Sequence, residues 1–385
     1  MPNKKNHIKK ILRYVHLYTA LLSGLVLSVM GITGSLYVFE PELTAILEKD
    51  IYLTEKKESL FTDDISMAKH VEKISDRKIE SIQWPKRGRE TYVFKFFGDE
   101  KWYFFDQSTG KFLSGRKGLG NDIFTFILDL HMTLTLGETG RIITGVASLL
   151  FTFVMLSTGM YLWWPTNKGR RKTSFRVKWN ARPKRLNYDL HNVIGFYFFI
   201  PLFLLGFTGA AFYFKDEMQL LVDKVTFSEP APTPIYEVRT TAHPTTKDFM
   251  DVEEVLLEMN GYYPGLYKRN LWLTQDFDGA LSFAYQPRID IHSGPQKRIT
   301  LRVDPVTAKV IAEENPDKMP RGASLMSNWQ LPVHFGEFGG LFTRILWFMV
   351  GLIPAFLTYT GFKIWWGRRN KSRCETAQEL LTAKK

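Results

Sequence analysis

Four stretches of this chain are apolar almost without interruption: Leu17 to Phe39, Ile142 to Trp164, Asn192 to Phe214 and Ile345 to Trp366. Each holds at least 22 residues and almost no charge, and about 20 helical residues cross a hydrocarbon core. The pattern therefore predicts four transmembrane helices. Between the spans the period changes. Residues 63–112 read as a helix (Asp64 to Ser75), then alternating strands "IESIQW", "TYVFKFF" and "KWYFFD", with a turn "DQSTGKF". Residues 248–312 follow the same order: a helix over Asp251 to Asn260, strands "LWLTQD", "LSFAYQP" and "RITLRVD", and a turn "DPVTAKV". Each insert is predicted to be a small α+β module, one helix on an antiparallel sheet.

The two halves repeat one plan. "RYVHLYTALLSGLVLSVMGITGSLYVFEPE" matches "LNYDLHNVIGFYFFIPLFLLGFTGAAFYFKDE", and "HMTLTLGETGR…STGMYLWWP" matches "HFGEFGGLFTR…YTGFKIWWG". Each half is span, module, span, and both run in the same direction, which implies a pseudo-two-fold axis along the membrane normal.

Charge then sets the orientation. Residues 1–13 carry five Lys/Arg, residues 165–188 carry nine, and residues 363–385 carry seven with two Glu. These segments hold +19 of a chain whose net charge is +12, so the remainder is acidic. The positive-inside rule puts both termini and the middle loop in the cytoplasm and both modules outside. The basicity is a topology signal, and no nucleic-acid partner is implied. The first span follows a basic segment like a secretory signal, but it is long and runs into Phe-Glu-Pro-Glu rather than a small-residue cleavage site, so it reads as a retained anchor. Cys374 is the single cysteine. Disulfides, thiolate zinc sites and Cys-x-x-Cys-His haem attachment are excluded.

Four of the eight histidines occupy repeat-equivalent places. His16 and His191 enter the first and third spans at the cytoplasmic edge; His131 and His334 precede the second and fourth at the outer edge. A lone interfacial histidine often only anchors a helix end. Four matched positions make two pairs, one per leaflet, because symmetry brings equivalent residues together. Facing neutral imidazoles suit axial ligation of haem iron. Zinc, which wants four ligands, stays open at the outer pair through Glu138 and Glu337. Arg141 and Arg344, ten residues after their histidines, are candidates to neutralise haem propionates outside, and Arg13, Lys184 and Arg185 inside; interfacial snorkelling is their plainer reading. Recurrent span glycines imply close helix packing or room for a macrocycle. The Thr-Gly pairs at 33, 158, 208 and 360 imply no more than a packed hydroxyl. Trp163, Trp164, Trp365 and Trp366 read as an interfacial belt. His7, His70, His243 and His292 read as exposed.

The four histidine blocks, with the "D-x-x-T-G" turn at 106–110, resemble the PepSY-associated transmembrane family, a bacterial inner-membrane group similar to iron-regulated proteins and including di-haem ferric-siderophore reductases. One departure is Ala308 where the first turn has Gly110. The resemblance implies an α-helical membrane protein with α+β extracytoplasmic modules, its four spans forming two parallel repeats that each enclose a PepSY-like domain. Its organisation would be a cytoplasmic N-terminus and first span (1–40), periplasmic PepSY-like domains at 41–127 and 216–328, interfacial segments with the second and fourth spans (128–165 and 329–367), a basic cytoplasmic loop (166–188), the third span (189–215) and a cytoplasmic tail (368–385). It further implies two b-type haems held by His16, His191, His131 and His334. The expected activity is haem-dependent reduction of a periplasmic ferric siderophore or other iron(III) chelate, releasing iron(II), with electrons from an unidentified cytoplasmic or membrane donor. No nucleophile, phosphate loop or nucleotide fingerprint contradicts an electron wire. The alternatives are a PepSY-based binding or inhibitory protein on a helical anchor, and an iron-chelate transporter. The transporter is disfavoured by only four spans and no intramembrane acid.

Overall fold

The computed structural model describes residues 4–54, 58–86, 88–166, 169, 171–233, 235, 238, 251–273, 280–287 and 294–382. His243 and His292 lie outside them. In chain order the principal elements are α1 (Lys4–Tyr37), α2 (Glu40–Leu47), α3 (Lys49–Tyr52), α4 (Asp64–Ser75), β1 (Ile79–Gln83), β2 (Thr91–Phe96), β3 (Tyr103–Asp106), β4 (Phe112–Ser114), α5 (Leu119–Thr133) and α6 (Gly137–Leu149). After a π-helical turn at Leu150–Met155 come α7 (Leu156–Trp163), α8 (Arg171–Ser174), α9 (Pro183–Tyr197), α10 (Phe199–Ala210), α11 (Lys215–Thr226) and α12 (Val252–Met259). The chain ends through β5 (Tyr267–Trp272), β6 (Leu281–Gln286), β7 (Ile299–Val303), β8 (Val310–Glu314), α13 (Arg321–Phe335) and α14 (Gly340–Thr382). These make two compact units: a helical bundle (1–38, 127–215 and 344–385) and a sheet unit (39–126 and 216–343).

Among the described residues, three stretches are long and apolar enough to cross a membrane: His7–Tyr37, Gly137–Trp163 and Glu337–Arg369. The third apolar window, expected as one helix over Asn192 to Phe214, is instead the bent pair α9 and α10, which turn by 65°. Pro201 supplies the reason. It removes the N–H that would reach the Tyr197 carbonyl, and its ring crowds that oxygen, so the helix breaks at Phe198. Glycines let the spans touch. A Cβ at Gly31 would lie 2.2 Å from the Gly351 carbonyl oxygen, and one at Gly206 would lie 2.3 Å from Thr152 Oγ1. Ser35 locks the first contact by donating to Phe348 O at 2.8 Å.

The expected helix of the first module matches α4, and the second is one residue longer at each end than α12. Both start on a capping box, Asp63 with Ser66 and Asp251 with Glu254, which satisfies the first free N–H groups. Two corrections concern the strands. Among the described residues each module supplies four strands rather than three, and the strand expected at 271–276, whose last three residues lie outside them, is β5, which begins four residues earlier. The modules also do not carry separate sheets. All eight strands form one antiparallel sheet in the order β4-β3-β2-β1-β5-β6-β7-β8. Its centre is the β1–β5 pairing, Ile82 opposite Leu271 and Gln83 opposite Asn270. Alone, each module would leave its first strand as an open edge with unpaired backbone groups; fusion removes both edges.

One hydrophobic core serves both modules. Val71 of α4 and Leu256 of α12 pack with Ile82, Phe94, Leu271 and Phe283. The two Asp turns share one geometry. Asp106 Oδ1 accepts from the backbone of Ser108 and Thr109, and Asp304 Oδ1 from that of Val306 and Thr307. Gly110 has φ +63° and Ala308 φ +53°, so the second turn takes the left-handed conformation despite a side chain. His70, read as exposed, is half-buried against Phe61, with ring centroids 5.1 Å apart.

Candidate functional site

Each apolar window carries a Thr-Gly pair, and three of these pairs seat a histidine within the bundle. His16 of α1 places Nδ1 3.0 Å from Thr158 Oγ1 on α7, and a Cβ at Gly159 would lie 3.2 Å from that ring's Cε1. His191 of α9 meets Thr360 and Gly361 of α14 in the same way, at 2.9 Å and 3.2 Å. His131 of α5 meets Thr33 and Gly34 of α1, at 3.2 Å and 2.8 Å. Beside these glycines sits an imidazole, where the sequence had suggested a macrocycle.

Hydrogen bonding fixes the proton on each ring. The Thr158 hydroxyl donates one turn back to Val154 O, Thr360 to Phe356 O and Thr33 to Val29 O. With that hydrogen used, each Oγ1 can only accept from the imidazole. Nδ1 is then the N–H nitrogen. A backbone carbonyl three residues before each threonine reinforces this. Met30 O lies 2.8 Å from His131 Nδ1, and the Met155 and Leu357 carbonyls serve His16 and His191. The tautomer, assigned from these bonds, leaves Nε2 with its lone pair. That is the arrangement of a metal-ligating histidine, whose other nitrogen is held by an oxygen.

His334 stands on the last turn of α13, in the sheet unit, half-buried. Thr208, the remaining threonine, donates to Leu204 O as the other three do to their own carbonyls.

The arginines separate. Arg344 is 1% exposed and donates Nη2 to Val38 O at 2.5 Å. Its repeat equivalent Arg141 is exposed, 3.7 Å from Glu138 and 5.6 Å from the centre of the Tyr213 ring. Arg13 is exposed. Arg185 holds the buried carboxylate of Asp189 at 2.8 Å, so the acid nearest His191 in sequence is neutralised. Among the described residues no three His, Cys, Asp or Glu side chains cluster as a protein-only metal site. The sequence reading missed the threonine acceptors. The signal was present in the recurrence of Thr-Gly once per span, but no spacing along the chain links Thr33 to His131 or Thr360 to His191.

A helical bundle of membrane-crossing length, seating imidazoles on threonine and glycine and joined to an antiparallel sheet unit, defines a multi-pass membrane protein with a substantial extramembrane module. The chain belongs to a family: the model described as the PepSY-associated TM region matches residues 13–368. No protein with a curated description matches it.

Proposed function

We propose that this protein is an inner-membrane electron-transfer protein that holds two b-type haems and reduces an iron(III) chelate, of the ferric-siderophore class, on the periplasmic side. The observation that carries this reading is the shared tautomer of His16, His131 and His191, each with Nδ1–H held by oxygen and Nε2 unprotonated. Imidazoles kept only to anchor helix ends need no common tautomer.

The residues fit the group. His16 and His191 are the proposed ligands of the cytoplasmic-side haem. His131 is a proposed ligand of the outer one, and His334, its repeat equivalent, is nominated for that role by the sequence alone. Arg344, a buried cation near the start of the fourth span, suits a propionate better than the exposed Arg13 and Arg141. When bound, a b-type haem supplies a one-electron iron couple. The protein's part is to hold each imidazole in one tautomer and orientation and to keep the bundle apolar around it. The basic flanks support cytoplasmic termini and a periplasmic sheet unit. Electrons come from a cytoplasmic or membrane donor, and iron(II), bound far less tightly by hard oxygen ligands, is released. Pyridine haemochrome assay of purified protein should give two haems per chain. A well-folded, colourless protein would rule this function out and favour a binding or inhibitory role for the sheet unit.

A further inference from the structure

The face of the sheet opposite α4 and α12 is not featureless. α2, α3 and the start of α5 enclose a cleft against it, lined by Gln83, Arg89, Val93 and Phe104 from the sheet side and by Glu40, Tyr52, Trp102, Lys117 and Asn121 around it, with Lys86 on the loop after β1. Three cations face one carboxylate. Glu40 is that carboxylate, and it accepts from Thr44 at 3.3 Å.

Arg89 is the group that needs explaining. It is 7% exposed, and its two terminal nitrogens donate to neutral acceptors, Gln83 Oε1 and Trp84 O, both at 2.8 Å. Its Nε is buried with no partner. Among the described residues no carboxylate lies at salt-bridge distance from Arg89, Lys86 or the nearby Arg269, which donates to Gln286 Oε1. Glu40 acts on Arg89 only from across the cleft, and a buried guanidinium without a contacting counter-charge is unfavourable unless a ligand supplies one. Burial, with the charge of Arg269, pushes Arg89 down to about 10 against the opposing influence of Tyr52 and Glu40. Desolvation by surrounding protein, then the Arg89 charge, pushes Lys86 down to about 8, although its side chain remains exposed. Burial first, then Glu48, pushes the Tyr52 phenol up to about 12, so it stays a donor.

We propose that this cleft binds a small ligand through carboxylate or phosphate oxygens, with Arg89 at its buried end and Lys86, Lys117, Tyr52 and Asn121 as the surrounding donors. Lys117 is already ordered over the Trp102 ring, 5.5 Å from its centre. The site stands on the sheet unit alone and holds whether or not the bundle carries haem.

The test is calorimetric titration of the full chain in detergent at low salt, with citrate, ferric citrate and inorganic phosphate as probes. At least one probe is expected to bind saturably, one to one. Binding should weaken about tenfold in the Lys86→Gln/Lys117→Gln double variant, as loss of charge-assisted contacts requires. It should weaken further above pH 8 in the wild type, where Lys86 discharges. Arg89→Gln should abolish binding; because it also disturbs Trp84 and Gln83, the exposed lysine pair is the deciding variant. Ferric citrate bound above citrate identifies an iron chelate as the source, equal binding a free carboxylate, and phosphate alone a free phosphate; each supports the site. No saturable binding of any probe, or unchanged affinity in the double variant, overturns it.

Discussion

The Nδ1 atom of His131 lies 2.8 Å from the carbonyl oxygen of Met30, three residues before the threonine that also faces it. A carbonyl cannot donate, so the proton sits on Nδ1 and Nε2 keeps its lone pair. The same pairing of threonine and preceding carbonyl recurs at His16 and His191.

If these oxygens hold the ligand nitrogens in place, removing one should loosen the bound group without unfolding the helix. Thr158→Val is expected to weaken haem binding about tenfold, and Thr158→Ser should restore it. Titration of haem into apoprotein, followed by absorbance, measures both. Equal affinity in the valine variant would mean that Thr158 merely packs.

The glycines should rank by distance. An added Cβ at Gly34 would stand 2.8 Å from His131 Cε1, whereas at Gly159 and Gly361 the gap to the neighbouring ring is 3.2 Å. Gly34→Ala must displace its imidazole; the other two need a shift of only tenths of an ångström. Haem content and melting temperature should therefore fall more in Gly34→Ala than in Gly361→Ala.

Arg141 and Arg344 occupy equivalent places in the two halves, yet they should respond differently to truncation. Arg141→Ala breaks an exposed pair worth about 0–1 kcal/mol. Arg344→Ala deletes a buried donor to Val38 O, with an expected loss of about 1–3 kcal/mol. Thermal unfolding of the two variants in detergent compares them, and equal losses would contradict the assignment.

Gly110→Ala is expected to destabilise the sheet unit by about 2 kcal/mol, through left-handed strain and overpacking. Its Cβ would meet Phe61 Cζ at 2.6 Å and His70 Cδ2 at 2.7 Å. The native Ala308 shows that the turn folds with a methyl group, so Gly110→Ala reads strain and Phe61–His70 packing together in a folded protein. The readout is the melting temperature of the variant.

Lys86 has its folded pKa pushed from 10.5 to about 8. Between those values the unfolded chain binds more protons than the folded one, so this group makes stability rise with pH from about 8 to 10.5. As pH falls through 8 that contribution is lost. Lys86→Met should flatten the rise in melting temperature between pH 8 and 10; a slope identical to wild type would show that Lys86 is not the titrating group.

Much of the fold was legible because its signals are local. The run of apolar residues from Leu17 to Phe39 identifies a span whatever it packs against, and α4 announces itself through Asp63, its cap, and a helical stripe of Met67, Ala68 and Val71. The boundary of β5 was not legible. Lys268, Arg269 and Asn270 have poor strand chemistry and extend the strand because β6 pairs with Lys268 and Asn270 and β1 with Asn270. Pro201 was visible within the third apolar window, but counting hydrophobic residues over the window hid its effect.

For the candidate site, the chain alone nominated four imidazoles, since duplication marks His16, His131, His191 and His334 by position. The placement of Lys and Arg predicts the side of the membrane each enters. Only the tertiary structure decided that Thr158, Thr360 and Thr33 accept from these rings, and that β1 and β5 fuse two modules into one sheet. The physical reason is range. Hydropathy and capping act within a few residues, whereas a hydrogen bond such as that from His191 to Thr360 joins groups 169 positions apart and exists only once helices have packed.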